Sequence, residues 1–260
     1  MTTDIQIEIR DRVQTLRFNR PGKKNALTQA MYRTLADALI AGDASDAVAA
    51  HVFLGAPGVF TAGNDLADFL DRSSDISQSG AQVSRFIQSL PVVAKPMIAA
   101  VDGLAIGVGT TMLFHCDLVY ATENASFRTP FLDLGLVPEA ASSLLAPLRM
   151  GHQRAFELLC LGEAFSAQRG YEAGFVNKIV APGMIEAEAM AAALRLASKP
   201  PGALAAARKL MKGDATAILA QMRKEGTVFA ERLGSAEAKE AFTAFLEKRK
   251  PDFAKLRKSG

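Results

Sequence analysis

The pattern that most constrains this chain occurs twice. The run AAHVFLG reads as a buried strand and is followed by the small-residue loop APGVFTAG and the helix-like NDLADFL. KPMIAAVDG reads again as a strand, LAIGVG again as a small-residue loop, and TTMLFHC again as a helix. DLVYAT supplies another strand, and FVNKIV one more after the helix-like HQRAFELLCLG and SAQRGYEAG. Strands that alternate with helices predict an α/β fold with much parallel pairing.

Other elements frame this repeat. IQIEIRDRVQTLRF alternates Ile5, Ile7 and Ile9, breaks, and resumes, which predicts a hairpin. Thr28 precedes TQAMYRTLADALIAG, where Met31, Leu35 and Leu39 recur at helical spacing and Gly42 suits the helix end. After PPG at 200–202 only helical patterns remain, ALAAARKLMKG, DATAILAQMRKEGTVFAERLG and SAEAKEAFTAFLEKRK. This divides the chain into a core domain, 1–200, and a C-terminal helical region, 201–260, expected to pack on the core or on a neighbouring subunit. The 260 residues, 49% apolar, are enough for one large domain with its own core.

Composition removes several function classes. The 30 basic and 27 acidic side chains leave +3, too balanced for a nucleic-acid surface. Cys116 and Cys160 form no disulfide framework, and no leader or bilayer-length apolar run is seen, so a cytoplasmic protein without membrane association is expected. His51, His115 and His152 lack metal-ligand spacing, so no metal is expected. Neither a GxSxG elbow nor a Walker loop occurs, and Met112 stands where a dinucleotide fingerprint needs its third glycine.

Two features carry chemistry. Each small-residue loop delivers the chain from a strand to a helix start, where the first N–H groups have no internal partner. In TAGNDL, Gly63 allows close approach and Asn64 presents its N–H; in AIGVGTTML, Val108 lies between two glycines. The loops read either as tight connections or as two donors converging on one oxygen, an oxyanion hole. The second feature is Glu139, the only charged residue between Asp133 and Arg149 in LDLGLVPEAASSLL. It reads either as a helix-start carboxylate after a proline or as a base whose pKa is raised by apolar neighbours.

Ordered blocks over nearly the whole chain, NRPGKKNALT, VFTAGNDL, KPMIAAVDGLAIGVG, CDLVYATENASF, VPEAASS, SAQRGYEAGFVNKIVAP and FLEKRKPDF, resemble the crotonase superfamily of enoyl-CoA hydratases and isomerases. The resemblance implies a crotonase-like fold of repeated ββα units, a C-terminal helical trimerisation region, and a homotrimer or dimer of trimers. It implies an acyl-CoA thioester substrate without a separate cofactor, its carbonyl oxygen held by the N–H groups of Asn64 and Val108. Ala62, Gly63, Asn64, Asp65 and Leu66 would meet adenine and pantetheine, with Ala26 and Gly109 nearby and Phe131 among the apolar walls. Lys23 or Lys24, and Lys248 or Lys250, are candidates for the phosphates. Asp65 and Asp117 are also assigned to capping and loop structure.

Hydratases of the superfamily carry two glutamates that this chain replaces with Thr111 and Phe131. Glu139 instead matches the position of the working acid in several isomerases, and TPFLDLGLVPEAASS is similar to the peroxisomal type of Δ3,Δ2-enoyl-CoA isomerase. The resemblance therefore implies an isomerase of fatty acid or related acyl-CoA degradation, Glu139 carrying a proton from C2 to C4 of a 3-enoyl thioester. Alternatives are another acyl-CoA reaction of the superfamily (dienoyl or ring-acyl isomerisation, thioester hydrolysis, weak hydration), in which Asp133 is a possible second acid, or a silent acyl-CoA binder.

Overall fold

The structure, a computed structural model, describes residues 4–67 and 80–258. Its strands are β1 (Ile5–Arg10), β2 (Val13–Phe18), β3 (Ala50–Leu54), β4 (Val59–Thr61), β5 (Met97–Val101), β6 (Leu104–Ile106), β7 (Leu118–Thr122), β8 (Ser126–Arg128), β9 (Phe165–Ser166) and β10 (Lys178–Val180). Six form one sheet in the order β1-β2-β3-β5-β7-β10, and four form a second in the order β4-β6-β8-β9. Among the described strands, only the β1–β2 and β8–β9 pairs are antiparallel.

The small-residue segments after β3 and β5 are therefore more than loops. Each contains a three-residue strand of the second sheet, so that β3-β4, β5-β6 and β7-β8 are successive steps from one sheet to the other. The main-sheet strands β3 and β5 are buried on both faces, which is why they read as unbroken apolar runs. Phe53, Ala99 and Val101 point into the large core shared with Phe60, Ala105, Phe127 and Phe165 of the second sheet. Val52, Leu54, Ile98 and Ala100 pack on the other face, against Ala189, Ala192 and Ala193 of the helix Ile185–Ala197.

The corners between the sheets are stitched by Asp102. Its carboxylate accepts the Gly58 N–H at 2.9 Å and the Thr122 hydroxyl at 2.7 Å, joining all three steps. Gly103 follows with φ +71°, and a Cβ there would stand 1.8 Å from the Gly58 carbonyl oxygen. No side chain fits that approach.

The hairpin forms as expected, but β1 is an edge strand and only Ile5 of its three isoleucines is buried; Ile7 and Ile9 remain exposed. The helix after Thr28 runs Gln29–Ala44, and the Thr28 hydroxyl accepts the Met31 N–H at 3.3 Å. Gly42 does not end it. It stands inside the helix, where a Cβ would lie 2.3 Å from Oε1 of Gln14. Of the helix expected over NDLADFL, Leu66 and Ala67 are helical and 68–70 lie outside the described residues.

The C-terminal region comprises the helices Pro201–Lys212, Thr216–Leu233 and Ala236–Leu246. Met222, Ala238 and Phe242 belong to the large core, and Asp117 ties the first helix down through Arg208 at 2.8 Å and Lys212 at 3.3 Å. The same carboxylate accepts the Met97 N–H at 2.8 Å, so it holds the entry to β5 as well.

If the corner geometry is this strict, Gly103→Ala will lower stability by about 2–4 kcal/mol, read as a reduced urea midpoint. A variant as stable as the parent would show that the corner tolerates a side chain.

Candidate active site

A cavity of about 420 Å³ opens where the two sheet-to-helix loops, the turn before the helix Ser142–Met150 and the C-terminal helices meet. Asn64, Val108, Phe131 and Glu139 all line it, together with Ala62, Gly63 and Leu66.

The first loop is fixed by the segment Lys24–Leu27. Ala62 N–H donates to Lys24 O at 3.0 Å, Leu27 N–H to Gly63 O at 2.8 Å, and Asp65 N–H to Leu27 O at 2.9 Å. In this parallel bridge the flanking residues 63 and 65 make the bonds to Leu27, so the N–H of Asn64 faces the opposite side. Asn25, fully buried, holds the segment in place: its Oδ1 accepts the Arg20 N–H at 2.8 Å, and its Nδ2 donates to Val59 O and Phe60 O, both at 3.1 Å. The Asn64 side chain is held in turn by the buried Tyr32, whose hydroxyl donates to Asn64 Oδ1.

The second loop lies directly beside the first. A Cβ on Gly63 would come within 2.8 Å of Ile106 O, so these backbones touch only because residue 63 is glycine. Gly107 N–H donates to Arg128 O at 2.8 Å, and Gly107 O accepts the N–H groups of Thr110 and Thr111 at 2.9 and 3.0 Å. Val108 is the first residue of the short helix Val108–Thr111, so its own N–H has no acceptor within that helix. Two amides from separate loops thus border one cavity, the arrangement an oxyanion requires.

Glu139 is not in the first turn of a helix. The helix begins at Ser142, and Glu139 precedes it in the turn whose Ala140 and Ala141 both have positive φ, 57° and 55°. Its Oε1 is buried and, among the described residues, has no hydrogen-bond partner. Burial, reinforced by the charge of Glu225, pushes its pKa up to about 7. A second cavity of about 420 Å³, walled by Val83, Ile87, Met222 and Phe229, meets the first at Asn64, Glu139 and Phe229. The carboxyl therefore stands between two apolar chambers, and its charged form is disfavoured by desolvation.

Several expected contacts fall elsewhere. Gly109 faces Thr61, not the cavity. Ala26 lies outside the lining, and its carbonyl accepts Arg20 Nη1 at 3.0 Å. The Asp65 carboxylate pairs with Arg20 at 2.6 Å and accepts the Ala67 N–H at 3.0 Å, so it serves the loop and the following helix start. Lys23, Lys24, Lys248 and Lys250 are exposed and outside the lining. Asp133 reaches the cavity mouth but is paired with Arg128 at 3.0 Å. Thr111 is fully buried and its hydroxyl has no partner among the described residues.

Three residues here had no sequence signal. Tyr32 lies beside Met31 in the first amphipathic helix, with nothing in its spacing to mark it. Glu225 was one charge among many in QMRKEG. His115 is buried with its pKa pushed down to about 3, and its Nε2–H donates to Ala140 O at 2.7 Å, tying the helix after the second loop to the Glu139 turn.

The family model for enoyl-CoA hydratase/isomerase matches residues 8–256. The chain belongs to the enoyl-CoA hydratase/isomerase family. It is 34% identical over 244 residues to enoyl-CoA delta isomerase 2 of Rattus norvegicus, covering 92% of this chain and 62% of the rat protein. It is 30% identical over 254 residues to the 2,3-dehydroadipyl-CoA hydratase of Escherichia coli, covering 96% and 98%. The crystal structure of an enoyl-CoA hydratase/isomerase from Pseudoalteromonas atlantica superposes with a TM-score of 0.90 at 41% identity, over 96% of this chain and 100% of that one. The fold is thus the crotonase α/β fold. Membership places the chain among acyl-CoA hydratases and isomerases, and an isomerase and a hydratase stand at similar distance.

The raised pKa of Glu139 has a consequence for stability. Between its ordinary value of 4.5 and about 7 the folded state binds a proton that the unfolded state has released, so this residue makes stability fall as pH rises through that window. Glu139→Gln removes the effect. Relative to the parent, the variant should gain about 1–3 kcal/mol between pH 5 and pH 8, measured by urea unfolding. A difference that does not change with pH would contradict this picture of the carboxyl.

Proposed function

We propose that this chain is a Δ3,Δ2-enoyl-CoA isomerase whose one working acid–base group is Glu139. The observation that carries the reading is the buried Glu139 carboxyl beside the two loop amides, its Oε1 without a partner among the described residues; the family resemblance adds that Thr111 and Phe131 stand where hydratases hold carboxylates. Hydration requires one group to activate water and another to deliver a proton. A 1,3-proton shift requires only one group that takes a proton and returns it.

In this reading the thioester oxygen lies against the N–H groups of Asn64 and Val108. Glu139, ionised, removes a proton from C2 of the 3-enoyl thioester, and the charge moves onto that oxygen as a dienolate. Each preorganised donor lowers the barrier by roughly 3 to 4 kcal/mol. The protonated Glu139 then returns its proton to C4, giving the trans-2-enoyl thioester. No electron is gained or lost overall, so the proposed reaction needs no cofactor beyond the coenzyme A of the substrate. Burial helps the first step, because a neutral acid is better tolerated among Phe131, Phe229 and Leu136 than a carboxylate. With a pKa of about 7, the group is basic enough to take the proton yet substantially ionised at neutral pH. A trimeric assembly, as the resemblance implies, is part of the same proposal.

Glu139→Gln is expected to lower conversion of 3-enoyl-CoA to 2-enoyl-CoA by roughly 10³-fold or more, while acyl-CoA binding stays within a few-fold. In the parent, kcat/KM should rise with pH through about 7 as the base ionises. Undiminished isomerisation in the variant, or hydration of crotonyl-CoA outpacing isomerisation in the parent, would sink the assignment.

A further inference from the structure

The turn that carries Glu139 is closed locally only on the Glu139 carbonyl, which accepts the Ser142 N–H at 3.0 Å and the Ser142 hydroxyl at 2.6 Å. Ala140 and Ala141 both adopt left-handed backbone, unfavourable for a residue with a Cβ. The helix that follows has Ala141 at its N-cap, with no side-chain acceptor for its first N–H groups. The missing acceptor comes from 84 residues further on. Glu225, in the helix Thr216–Leu233, accepts the Ala141 N–H on Oε2 at 2.6 Å, and on Oε1 the Ser143 N–H at 3.0 Å and the Ser143 hydroxyl. Gln221, one helical turn earlier, donates to Ser143 Oγ at 2.9 Å. From the other side His115 holds Ala140 O.

We propose that Glu225 is a positioning residue for Glu139, capping from the C-terminal helical region the strained turn that aims the Glu139 carboxyl at the cavity. This rests on Glu139 being the working base of the isomerisation proposed above. Glu225 is 7% exposed, and both its oxygens accept N–H groups, so its ionised form is the one that fits. Besides holding the turn, its charge disfavours a second negative charge on Glu139. Among the described residues, the other titratable groups facing Glu139 are Tyr32, fully buried, and His115, neutral and bonded to the turn; Arg128, Asp133 and Arg249 stand across the first cavity.

The test is Glu225→Gln, which keeps the shape, removes the charge and turns one acceptor into a donor. The variant should lose roughly 10- to 100-fold in kcat with KM within about twofold. Its acid limb of kcat/KM should move to lower pH, because the neighbouring negative charge is gone. Glu225→Asp keeps the charge but shortens the reach, so kcat falls while the acid limb stays near the parent's. An unmoved acid limb in Glu225→Gln overturns the proposal, whether kcat is unchanged or reduced, since a merely structural contact leaves that limb in place. Should Glu225→Gln fail to fold, Ser143→Ala deletes the hydroxyl that donates to Glu225 and accepts from Gln221 while keeping the Ser143 N–H bond: a kcat loss of roughly 2- to 5-fold at constant KM supports the proposal, and parental kcat overturns it. The ionisation of Glu139, followed through its carboxyl carbon by NMR in unliganded protein, separates this from the choice of reaction. A titration displaced in Glu225→Gln, with no isomerisation by the parent, discards the isomerase reading only. Isomerisation by the parent, with titration and kcat unchanged in the variant, discards the role of Glu225 only.

Discussion

Everything about the site depends on one buried carboxylate kept where a chain would not place it for stability. Glu139 has an oxygen without a partner among the described residues, mostly apolar chambers on both sides and a second carboxylate nearby. Each of these disfavours its charge, and together they make it basic near neutral pH. Such a group persists only if its surroundings over-determine its position. Here they do so from two directions, through His115 behind the second loop and through Glu225 in the C-terminal region.

The fold explains why the donor amides arise where they do. Stepping from the six-stranded sheet to the four-stranded one forces each repeat through a corner, and after the second strand the chain emerges at a helix start with free N–H groups. Because β4 and β6 are neighbours in parallel, equivalent points of two repeats come side by side, and the contact of Gly63 with Ile106 sets their approach. The juxtaposition of the two loop amides, the proposed oxyanion site, is thus a by-product of parallel repetition. The same scaffold serves both a hydratase and an isomerase among the relatives, so the reaction must follow from which carboxylates project into the cavity.

The C-terminal helices are more than a cover. Phe229, Phe242 and Phe245 wall the first cavity, and the helix bearing Phe229 also carries Glu225, which caps the Glu139 turn. A displacement of that helix would alter the apolar walls and the placement of Glu139 together. On the proposed reading, binding and proton transfer are coupled through one element.

The sequence by itself determined the parallel α/β repeat, since strands buried on both faces need unbroken apolar runs such as AHVFL and MIAAV. It also exposed Glu139 as an unexplained charge, and the two small-residue loops pointed to Asn64 and Val108, the same residues on which the family resemblance falls. It did not reveal the second sheet, because strands of three residues within glycine-rich segments carry too little periodicity to read. Nor did it distinguish Gly42, which makes room for Gln14, from a helix end. Only the tertiary structure decided that Lys24, Ala26, Asp65 and Gly109 stand outside the cavity lining and that Tyr32, His115 and Glu225 support the site. The reason is physical: periodicity records which face of an element is buried, whereas a hydrogen bond across 84 residues depends on where two elements meet. No local pattern encodes that meeting.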